Sequence, residues 1–133
     1  MKQLKKIAED YVSFEVAKLL KEKGFDVYGD GSFGSETEIH REYSPSGKIK
    51  ALYNSKPHKD GYPAPTHQMA LKWLREAHNL HINIFVTWKD KIPHYQWSID
   101  NLITQDTTYD TPCLEKYEEA CEAAIKYCLT NLI

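Results

Sequence analysis

The sequence lacks any apolar run that approaches the roughly 20 residues needed to cross a lipid bilayer. Met1–Lys6 is basic, as the start of a signal peptide would be, but Ala8, Glu9 and Asp10 interrupt the apolar segment that should follow. These absences argue against membrane insertion and against export. We therefore expect a cytoplasmic protein with no membrane partner.

Cysteine is scarce. Cys113, Cys121 and Cys128 all fall in the last quarter of the chain, in a segment with helical spacing. On a helix, Cys121 and Cys128 stand roughly 10 Å apart along the axis, whereas a disulfide needs Cα atoms within about 7 Å. No CxxC pair is present, which excludes a disulfide framework and a zinc ribbon. We expect Cys121 and Cys128 to be buried, reduced thiols.

Neither sign of charge is in marked excess. The chain has 17 Lys and Arg residues against 19 Asp and Glu residues, which gives a formal net charge of −2. Proteins that track nucleic-acid phosphates usually carry a strongly basic face. The charge balance therefore disfavours a nucleic-acid partner.

Metal-binding motifs are missing, although the chain has six histidines. His67 and His78 share one flank of a predicted helix, but roughly 16 Å of helix axis separates them. His78 and His81 are closer in sequence, yet one ends a helix and the other begins a strand. No HxH, HExxH or Cys/His cluster occurs. We predict no metal and no cofactor.

Motifs for catalysis are missing as well. Gly29–Gly34 has the letters of the dinucleotide fingerprint GxGxxG, but no apolar strand precedes it and no helix follows it. No GxSxG nucleophile motif occurs. We predict no catalytic residue. The absence of a motif favours a binding role over an enzymatic one and leaves the question of activity open.

A helix followed directly by a strand defines the middle of the chain. Tyr62–Pro65 is stiff, Thr66 is placed to cap a helix, and Asn79 can end that helix in the left-handed conformation. From Leu80 to Trp88 apolar residues then alternate at strand spacing. The helix spacing predicts a core face made of Met69, Ala70, Trp73, Leu74 and Ala77.

The strand is expected to return as an antiparallel hairpin through a turn at Asp90–Pro93. The alternation of Tyr95, Trp97 and Ile99 predicts that one face of the hairpin packs on the core. The predicted cross-strand pairs on that face are Trp88 with Tyr95, Val86 with Trp97, and Ile84 with Ile99. Trp88, Tyr95 and Trp97 are accordingly expected to be core residues rather than a base-stacking platform.

Helices are predicted at both ends of the chain. The N-terminal helix is expected in two pieces, one from Leu4 to Tyr11 and one that Ser13 caps and Gly24 ends, with Phe25 folding back on it. The C-terminal helix is expected to begin at Thr111–Pro112 and to continue with apolar spacing from Leu114. Asn101–Asp110 between hairpin and helix is expected to be a polar loop.

Residues 26–62 form a loop-rich segment with one possible β-hairpin. Thr37–Tyr43 alternates, Ser44–Gly47 is a turn signal, and Ile49–Tyr53 can return as the partner strand. Together the elements predict one α+β domain over residues 1–133. It has an antiparallel sheet of three to five strands with N-terminal, middle and C-terminal helices.

The predicted ligand-binding surface is the flank of the middle helix. Arg75 and His78 are i, i+3 neighbours, so a planar guanidinium and an imidazole can meet one anionic ligand. His67 lies on the same flank, and Tyr53 and Tyr62 are aromatic residues in loops. The alternative is that Arg75 pairs with a nearby Glu and that His78 closes the helix.

Three blocks of the chain, Ser13–Asp26, Pro63–Asn79 and Tyr117–Leu129, resemble a group of small uncharacterised proteins. Phages and mobile elements of gut Bacteroides-type bacteria encode that group. The three blocks cover about half of the chain. The resemblance implies an intracellular bacterial or phage accessory protein and transfers no activity.

Three classes of function stay open at this stage. The leading hypothesis is a non-enzymatic phage or mobile-element accessory protein that binds a host protein or a small anionic ligand. A counter-defence protein that sequesters a nucleotide signal is one form of it. The alternatives are a small enzyme acting on nucleotides or nucleic acid, and a structural protein that forms homo-oligomers.

Overall fold

The computed structural model describes residues 9–25, 39–53, 58–109 and 113–133. Within these residues the fold is α+β, as predicted. The helices are α1 (Phe14–Glu22), α2 (His67–His78) and α3 (Tyr117–Tyr127), and a π-helical turn over Cys128–Leu132 extends α3. The strands are β1 (Ile39–Tyr43), β2 (Ile49–Tyr53), β3 (Tyr62–Pro63), β4 (Leu80–Lys89), β5 (Ile92–Asn101) and β6 (Thr107–Tyr109).

The described strands form two antiparallel sheets of three strands each. The small sheet has the order β2-β1-β3, and the large sheet has the order β4-β5-β6. Helices α2 and α3 pack on one face of the large sheet, where Leu80, Trp97 and Ile99 are buried. We call this face the inner face and the opposite one the outer face. The small sheet packs on α1, where Phe14 contacts the Tyr43 and Tyr62 rings.

Helix α1 has the predicted cap at each end. The Ser13 hydroxyl accepts a hydrogen bond from the Val16 amide at 3.2 Å. Gly24 has a φ of +96°, and the Phe25 amide donates back to the Leu20 carbonyl at 2.9 Å, as in a Schellman motif. Phe25 is buried, so the predicted fold-back is confirmed.

The first piece of the N-terminal helix was wrongly predicted at Tyr11. Tyr11 forms an antiparallel bridge with Thr66, and the Val12 amide donates to the Pro65 carbonyl at 3.0 Å. These backbone hydrogen bonds hold the chain extended at Tyr11 and Val12. The apolar spacing that predicted a helix carries no information about these contacts with the segment before α2. Glu9 and Asp10 are not helical either, and the remainder of that piece, Leu4–Ala8, lies outside the described residues.

Helix α2 has the predicted ends, but its buried stripe is rotated. Thr66 caps the helix and Asn79 ends it with a φ of 57°. The buried side chains are His67, Ala70, Leu71 and Leu74, whereas Trp73 and Met69 are half-buried and Ala77 is exposed. At 3.6 residues per turn this stripe is displaced by roughly 80° from the predicted one. The helix packs on both α3 and β4, and a polar residue, His67, takes part in that packing.

The β4–β5 hairpin is confirmed, but its turn is shorter than predicted. Asp90 and Lys91 form a two-residue turn with φ values of 52° and 64°, which matches the twist of the strands. The observed pairs on the inner face are Val86 with Tyr95, Ile84 with Trp97, and Ile82 with Ile99. The predicted register is therefore wrong by two residues. An even shift keeps every side chain on its face, so the predicted core face holds.

Two predictions about the region after β5 are also wrong. Thr107–Tyr109, expected in a loop, is strand β6 and pairs with β5. Leu114, expected in the C-terminal helix, exchanges two backbone hydrogen bonds with Tyr95 at 2.7 and 2.9 Å. This bridge keeps the chain extended, so α3 begins at Tyr117. Cys113 is exposed ahead of the helix rather than on it, and the Thr111–Pro112 cap lies outside the described residues.

The hairpin in the loop-rich segment is confirmed. Strands β1 and β2 pair antiparallel, with Glu42 opposite Lys50. The Gly47 amide donates to the Ser44 carbonyl at 2.8 Å and closes the predicted turn. Among the helices that the structure describes, none is long and apolar enough to cross a membrane.

Candidate functional site

His67 is buried in a polar cluster that links the three helices. Its Nε2 atom lies 3.0 Å from Glu122 Oε1 on α3. The Ser13 amide and hydroxyl also donate to the Glu122 carboxylate, at 2.7 and 3.0 Å. Glu122 stands between Ser13 and His67, so the order needed for a serine nucleophile activated by histidine is absent here. The cluster holds α1, α2 and α3 together.

The hydrogen bonds of this cluster set the ionisation of Glu122. Burial acts to raise its pKa, but hydrogen bonds from His67 and Ser13 outweigh burial and lower the pKa from the usual 4.5. Tyr43 lies nearby and donates its hydroxyl to the Val12 carbonyl at 2.7 Å. Burial, and then the Glu122 charge, raise the pKa of Tyr43, so its hydroxyl stays protonated and keeps donating.

Another carboxylate, that of Glu42, is buried and fixes the chain ahead of β3. Glu42 is 2% exposed, and it accepts hydrogen bonds from the His58 amide at 3.1 Å and from the His58 ring. A Cβ atom at Gly61 would lie 2.8 Å from the Glu42 carboxyl carbon, so a larger residue at this position would force a local shift. This carboxylate is likewise engaged in holding the fold.

Arg75 and His78, the predicted ligand-binding pair, lie at the last turn of α2. Arg75 is exposed, and within the described part of the chain it makes no hydrogen bond or ion pair, so the alternative in which it pairs with a Glu is not seen. The half-buried His78 ring packs edge-on against Trp73, with centroids 4.7 Å apart. His67 lies at the other end of the same helix and is turned into the core. The structure therefore separates His67 from the other two.

Tyr62 lines a separate open cleft of about 430 Å³. The other lining residues are Lys18, Lys21 and Glu22 from α1. The Lys21 ammonium donates to the carbonyls of Lys59 and Gly61 at 2.9 and 2.8 Å and stands 5.1 Å from the Tyr62 ring centroid. Its positive charge is thus held in place at the cleft. The side chain of Tyr53 lies outside the described residues.

The outer face of the large sheet carries a polar row next to its centre. Asn83 donates to the Asp100 carboxylate at 2.9 Å and to the Ser98 hydroxyl at 3.3 Å, and Thr107 donates to Asp100 at 2.6 Å. The hydrogen bonds from Thr107 and then Asn83 lower the pKa of Asp100. This row ties β4, β5 and β6 together from the solvent side.

Apolar residues on the same outer face are exposed. Phe85 is 38%, Ile92 58% and Tyr109 70% exposed. Phe85 lies opposite Gln96 and Tyr109 lies opposite Ser98, so the two rings stand on either side of β5. None of the elements that the structure describes packs on this face. Exposed aromatic and aliphatic side chains that share one sheet face are candidate contacts for a partner protein.

The far end of the hairpin projects beyond the helices. Strand β4 has ten residues and spans roughly 33 Å, whereas the twelve residues of α2 span roughly 18 Å. Val86 and Trp88 lie on the inner face but past the end of the helical layer, and they are 45% and 72% exposed. The prediction that Trp88 belongs to the core is therefore wrong. Of the two tryptophans in the hairpin, Trp97 is buried and Trp88 is exposed.

The sequence analysis did not identify this exposed surface because it assigned the whole inner face of the hairpin to the core. The lengths of the elements were the available signal, since a ten-residue strand outruns a twelve-residue helix. Tyr109 falls in the segment that was expected to be a polar loop and is instead an exposed residue of β6. No group of three or more metal-ligating side chains occurs among the described residues. No family model, curated protein or solved structure matches the chain.

Proposed function

We propose that this chain is a non-enzymatic accessory protein of a phage or mobile element that binds a host protein in the bacterial cytoplasm. The binding surface is the outer face of the large sheet, with Phe85, Ile92 and Tyr109 as its apolar contacts. The origin of the protein rests on the resemblance of residues 13–26, 63–79 and 117–129 to small proteins of such elements.

The observation that carries the proposal is the exposure of Ile92 and Tyr109, 58% and 70%, on the outer face of the large sheet. Aromatic side chains such as tyrosine are prominent among the few residues that dominate the binding energy of a protein interface when they become fully desolvated. The polar row of Asn83, Asp100 and Thr107 beside them supplies hydrogen-bonding groups for the rim of such an interface. The hydrogen bonds within the row also hold the three strands as a rigid platform.

The hydrogen bonds of the two carboxylates that contact histidines support a non-enzymatic role. Glu42 and Glu122 are the acidic groups that the fold encloses with histidines, and each accepts hydrogen bonds from its own chain on both carboxylate oxygens. Glu42 is 2% exposed, so a substrate proton has no access to it, and the Glu122 carboxylate is bound by both Ser13 and His67. Both groups serve to join structural elements instead.

The host-protein interaction can be tested with two substitutions on the outer face and one control. Tyr109→Asp and Ile92→Asp each place a charge in the proposed contact, while Ile49→Asp makes the same change at a 45% exposed residue of β2. Tagged wild type and variants are recovered from host cells, and the bound proteins are quantified by mass spectrometry. A binding partner should be retained by wild type and Ile49→Asp and lost from both outer-face variants.

The partner is then purified and titrated against each variant. Loss of a central aromatic contact typically weakens binding by about 2 kcal/mol or more, which is roughly thirtyfold in Kd. Equal affinity for wild type and Tyr109→Asp would assign the interaction to another surface and refute the proposal.

A small anionic ligand is the second candidate, and the fixed charge of Lys21 beside Tyr62 favours it. Lys18 stands 4.5 Å from the Phe14 ring centroid, so the cleft brings two ammonium groups near aromatic rings. A nucleotide offers phosphates that the ammonium groups can bind and a base that can stack on an aromatic ring. Sequestration of a nucleotide signal would be the corresponding counter-defence role.

Calorimetric titration with a cyclic dinucleotide and with ATP tests this second candidate. If the cleft is the site, Lys21→Gln should abolish binding and Arg75→Lys should leave it intact. If the end of α2 is the site, Arg75→Lys should lose much of the affinity, because the bidentate guanidinium fork is lost. No heat with either nucleotide would reject nucleotide sequestration by either site.

A further inference from the structure

Strand β4 is a long unpaired edge. Among the described strands its only neighbour is β5, because the sheet order is β4-β5-β6. On the free side of an edge strand, alternate residues present N–H and C=O groups with no partner in the sheet. Ten residues make β4 the longest edge in the described structure, since β2 has five residues, β6 three and β3 two.

Strand β4 also lacks the features that usually protect such an edge. It contains no proline, and its only lysine is Lys89 at the last position. Next to the free edge lie Val86 and Trp88, which are 45% and 72% exposed. The edge therefore combines unpaired backbone groups with uncovered apolar side chains.

We propose that β4 pairs antiparallel with β4 of a second copy of this chain, with the two-fold axis at Phe85. The resulting dimer has one continuous sheet of six strands, which is within the usual size range. The proposal goes beyond the binding of a host protein, because it requires no host component.

The sequence of β4 is its own antiparallel complement in this register. Residues directly opposite each other in an antiparallel pair share a face, so a two-fold axis at Phe85 brings even-numbered residues together. On the inner face, Trp88 lies opposite Ile82 of the second copy, and Val86 lies opposite Ile84 of the second copy. Ile82 and Ile84 are both half-buried, so each exposed residue gains an apolar contact that is partly open in the single chain.

The outer-face pairs are compatible with the same register. Phe85 meets Phe85 of the second copy at the axis, and Asn83 meets Thr87 of the second copy. No acidic residue occurs in β4, and Lys89 lies opposite His81 of the second copy at the ends of the contact, where water screens charge. A second copy therefore fits this edge without placing a polar residue opposite an apolar one.

Pairing by a two-fold axis perpendicular to the sheet keeps both outer faces on one side. The dimer would then present two sets of Ile92 and Tyr109 on a single six-stranded surface. A host protein with two equivalent sites would gain affinity through the second contact without any new interaction type.

Light scattering coupled to size exclusion tests the dimer with purified protein alone. Over a series from about 1 to about 100 µM, wild type should move from the 15.4 kDa chain mass towards twice that mass. Val86→Lys should weaken dimerisation by about tenfold or more, because it places a charge opposite Ile84 of the second copy. Ile103→Lys, the same type of change at a 71% exposed turn residue away from β4, should dimerise like wild type.

Trp88→Ser serves as a second variant in case Val86→Lys disturbs folding, and circular dichroism confirms the fold of each protein. It removes the contact with Ile82 of the second copy at a residue that is mostly exposed in the single chain. A wild type that stays at the chain mass at the highest concentration would refute the dimer. So would Val86→Lys and Trp88→Ser variants that dimerise as well as wild type.

Cysteine cross-linking tests the register. In a Cys113→Ser background, Phe85→Cys places two thiols directly opposite each other, where Cβ atoms lie about 4.5–5.5 Å apart, and mild oxidation should give a covalent dimer. Thr87→Cys on the same strand and face should not cross-link, because its equivalent thiols would stand roughly 13 Å apart. Cross-linking of Thr87→Cys in preference to Phe85→Cys would overturn the proposed axis.

The dimer and the host interaction fail in distinguishable ways. Tyr109 and Ile92 lie outside β4. The Tyr109→Asp and Ile92→Asp variants should therefore dimerise like wild type while they lose host binding. A host partner retained by a monomeric Val86→Lys variant would support the outer-face site independently of the dimer.

Discussion

The Nε2 atom of His67 lies 3.0 Å from the Oε1 atom of Glu122, although 55 positions separate the two residues in sequence. This contact ties the first turn of α2 to α3, and Ser13 adds the start of α1 to the same carboxylate. His67 was predicted as a ligand-binding residue on the helix flank. Its position in this cluster gives it a structural role that can be measured.

Glu122→Gln should destabilise the protein by about 1–3 kcal/mol at neutral pH, because hydrogen bonds to a charged acceptor are lost from a largely buried site. Glu119→Gln is the matched control, since Glu119 is exposed on the same helix. Urea unfolding of wild type and both variants measures the difference. Equal midpoints for Glu122→Gln and Glu119→Gln would contradict the assigned role.

The same carboxylate should contribute to acid sensitivity. The pKa of Glu122 is lowered in the folded protein from 4.5, so the unfolded chain binds the proton more tightly. The stabilisation is therefore present above the unfolded pKa and is lost as pH falls through the folded value. Unfolding measured from neutral pH down to strongly acidic pH should show a smaller loss of stability in Glu122→Gln than in wild type. If the stability of Glu122→Gln and wild type depended on pH in the same way, this contribution of Glu122 would be contradicted.

Trp73 half-buries its ring against Phe25, with ring centroids 5.3 Å apart. Trp73→Ala should cost about 2–3 kcal/mol, somewhat below the value for a fully buried tryptophan. Trp88→Ala should change stability by no more than about 0.5 kcal/mol, because Trp88 is largely exposed. Thermal or urea unfolding in the Val86→Lys background makes the comparison free of any effect of dimerisation. Equal losses for both tryptophans would contradict the assigned burial.

Two glycines should respond to alanine for different reasons. Gly61→Ala should cost about 1–3 kcal/mol, because the added methyl group would press on the buried Glu42 carboxylate. Gly24→Ala meets no atom within 4 Å, so only its φ of +96° opposes the change, at about 1–2 kcal/mol. In a Glu42→Ala background the Gly61→Ala loss should shrink, whereas the Gly24→Ala loss should not change. A Gly61→Ala variant as stable as wild type would contradict the close packing at Glu42.

The three thiols should differ sharply in reactivity. Burial raises the pKa of Cys121 to about 11 and that of Cys128 to about 12, so neither forms a thiolate near neutral pH. A thiol reagent at pH 8 should therefore label one residue quickly, the exposed Cys113, and the other two only after unfolding. Cys113→Ser should abolish the fast phase. Fast labelling of two or three thiols in the folded protein would be inconsistent with this burial.

Metal removal is expected to have no effect on the fold, since the sequence contains no ligand cluster. A strong chelator should leave the melting temperature unchanged, whereas a drop reversed by added zinc would contradict the prediction that the protein binds no metal.

Local signals determined much of the fold from sequence alone. Ser13, Thr66, Gly24 and Asn79 act within one helical turn, so the capped ends they predicted at α1 and α2 were right. Strand alternation fixed which residues of β4 and β5 share a face, because a side chain's face depends only on its position along its own strand. The wrong register of the hairpin left those faces unchanged.

Tertiary structure decided what local spacing could not express. His67 is buried because Glu122, far away in sequence, supplies its hydrogen-bond partner. Trp88 is exposed because the hairpin extends past the helices, which depends on the relative lengths and placement of α2 and β4. Leu114 leaves the predicted helix because two backbone hydrogen bonds to Tyr95 hold it extended. Contacts between distant elements set burial and exposure, and therefore also set which surface of this protein is free to bind.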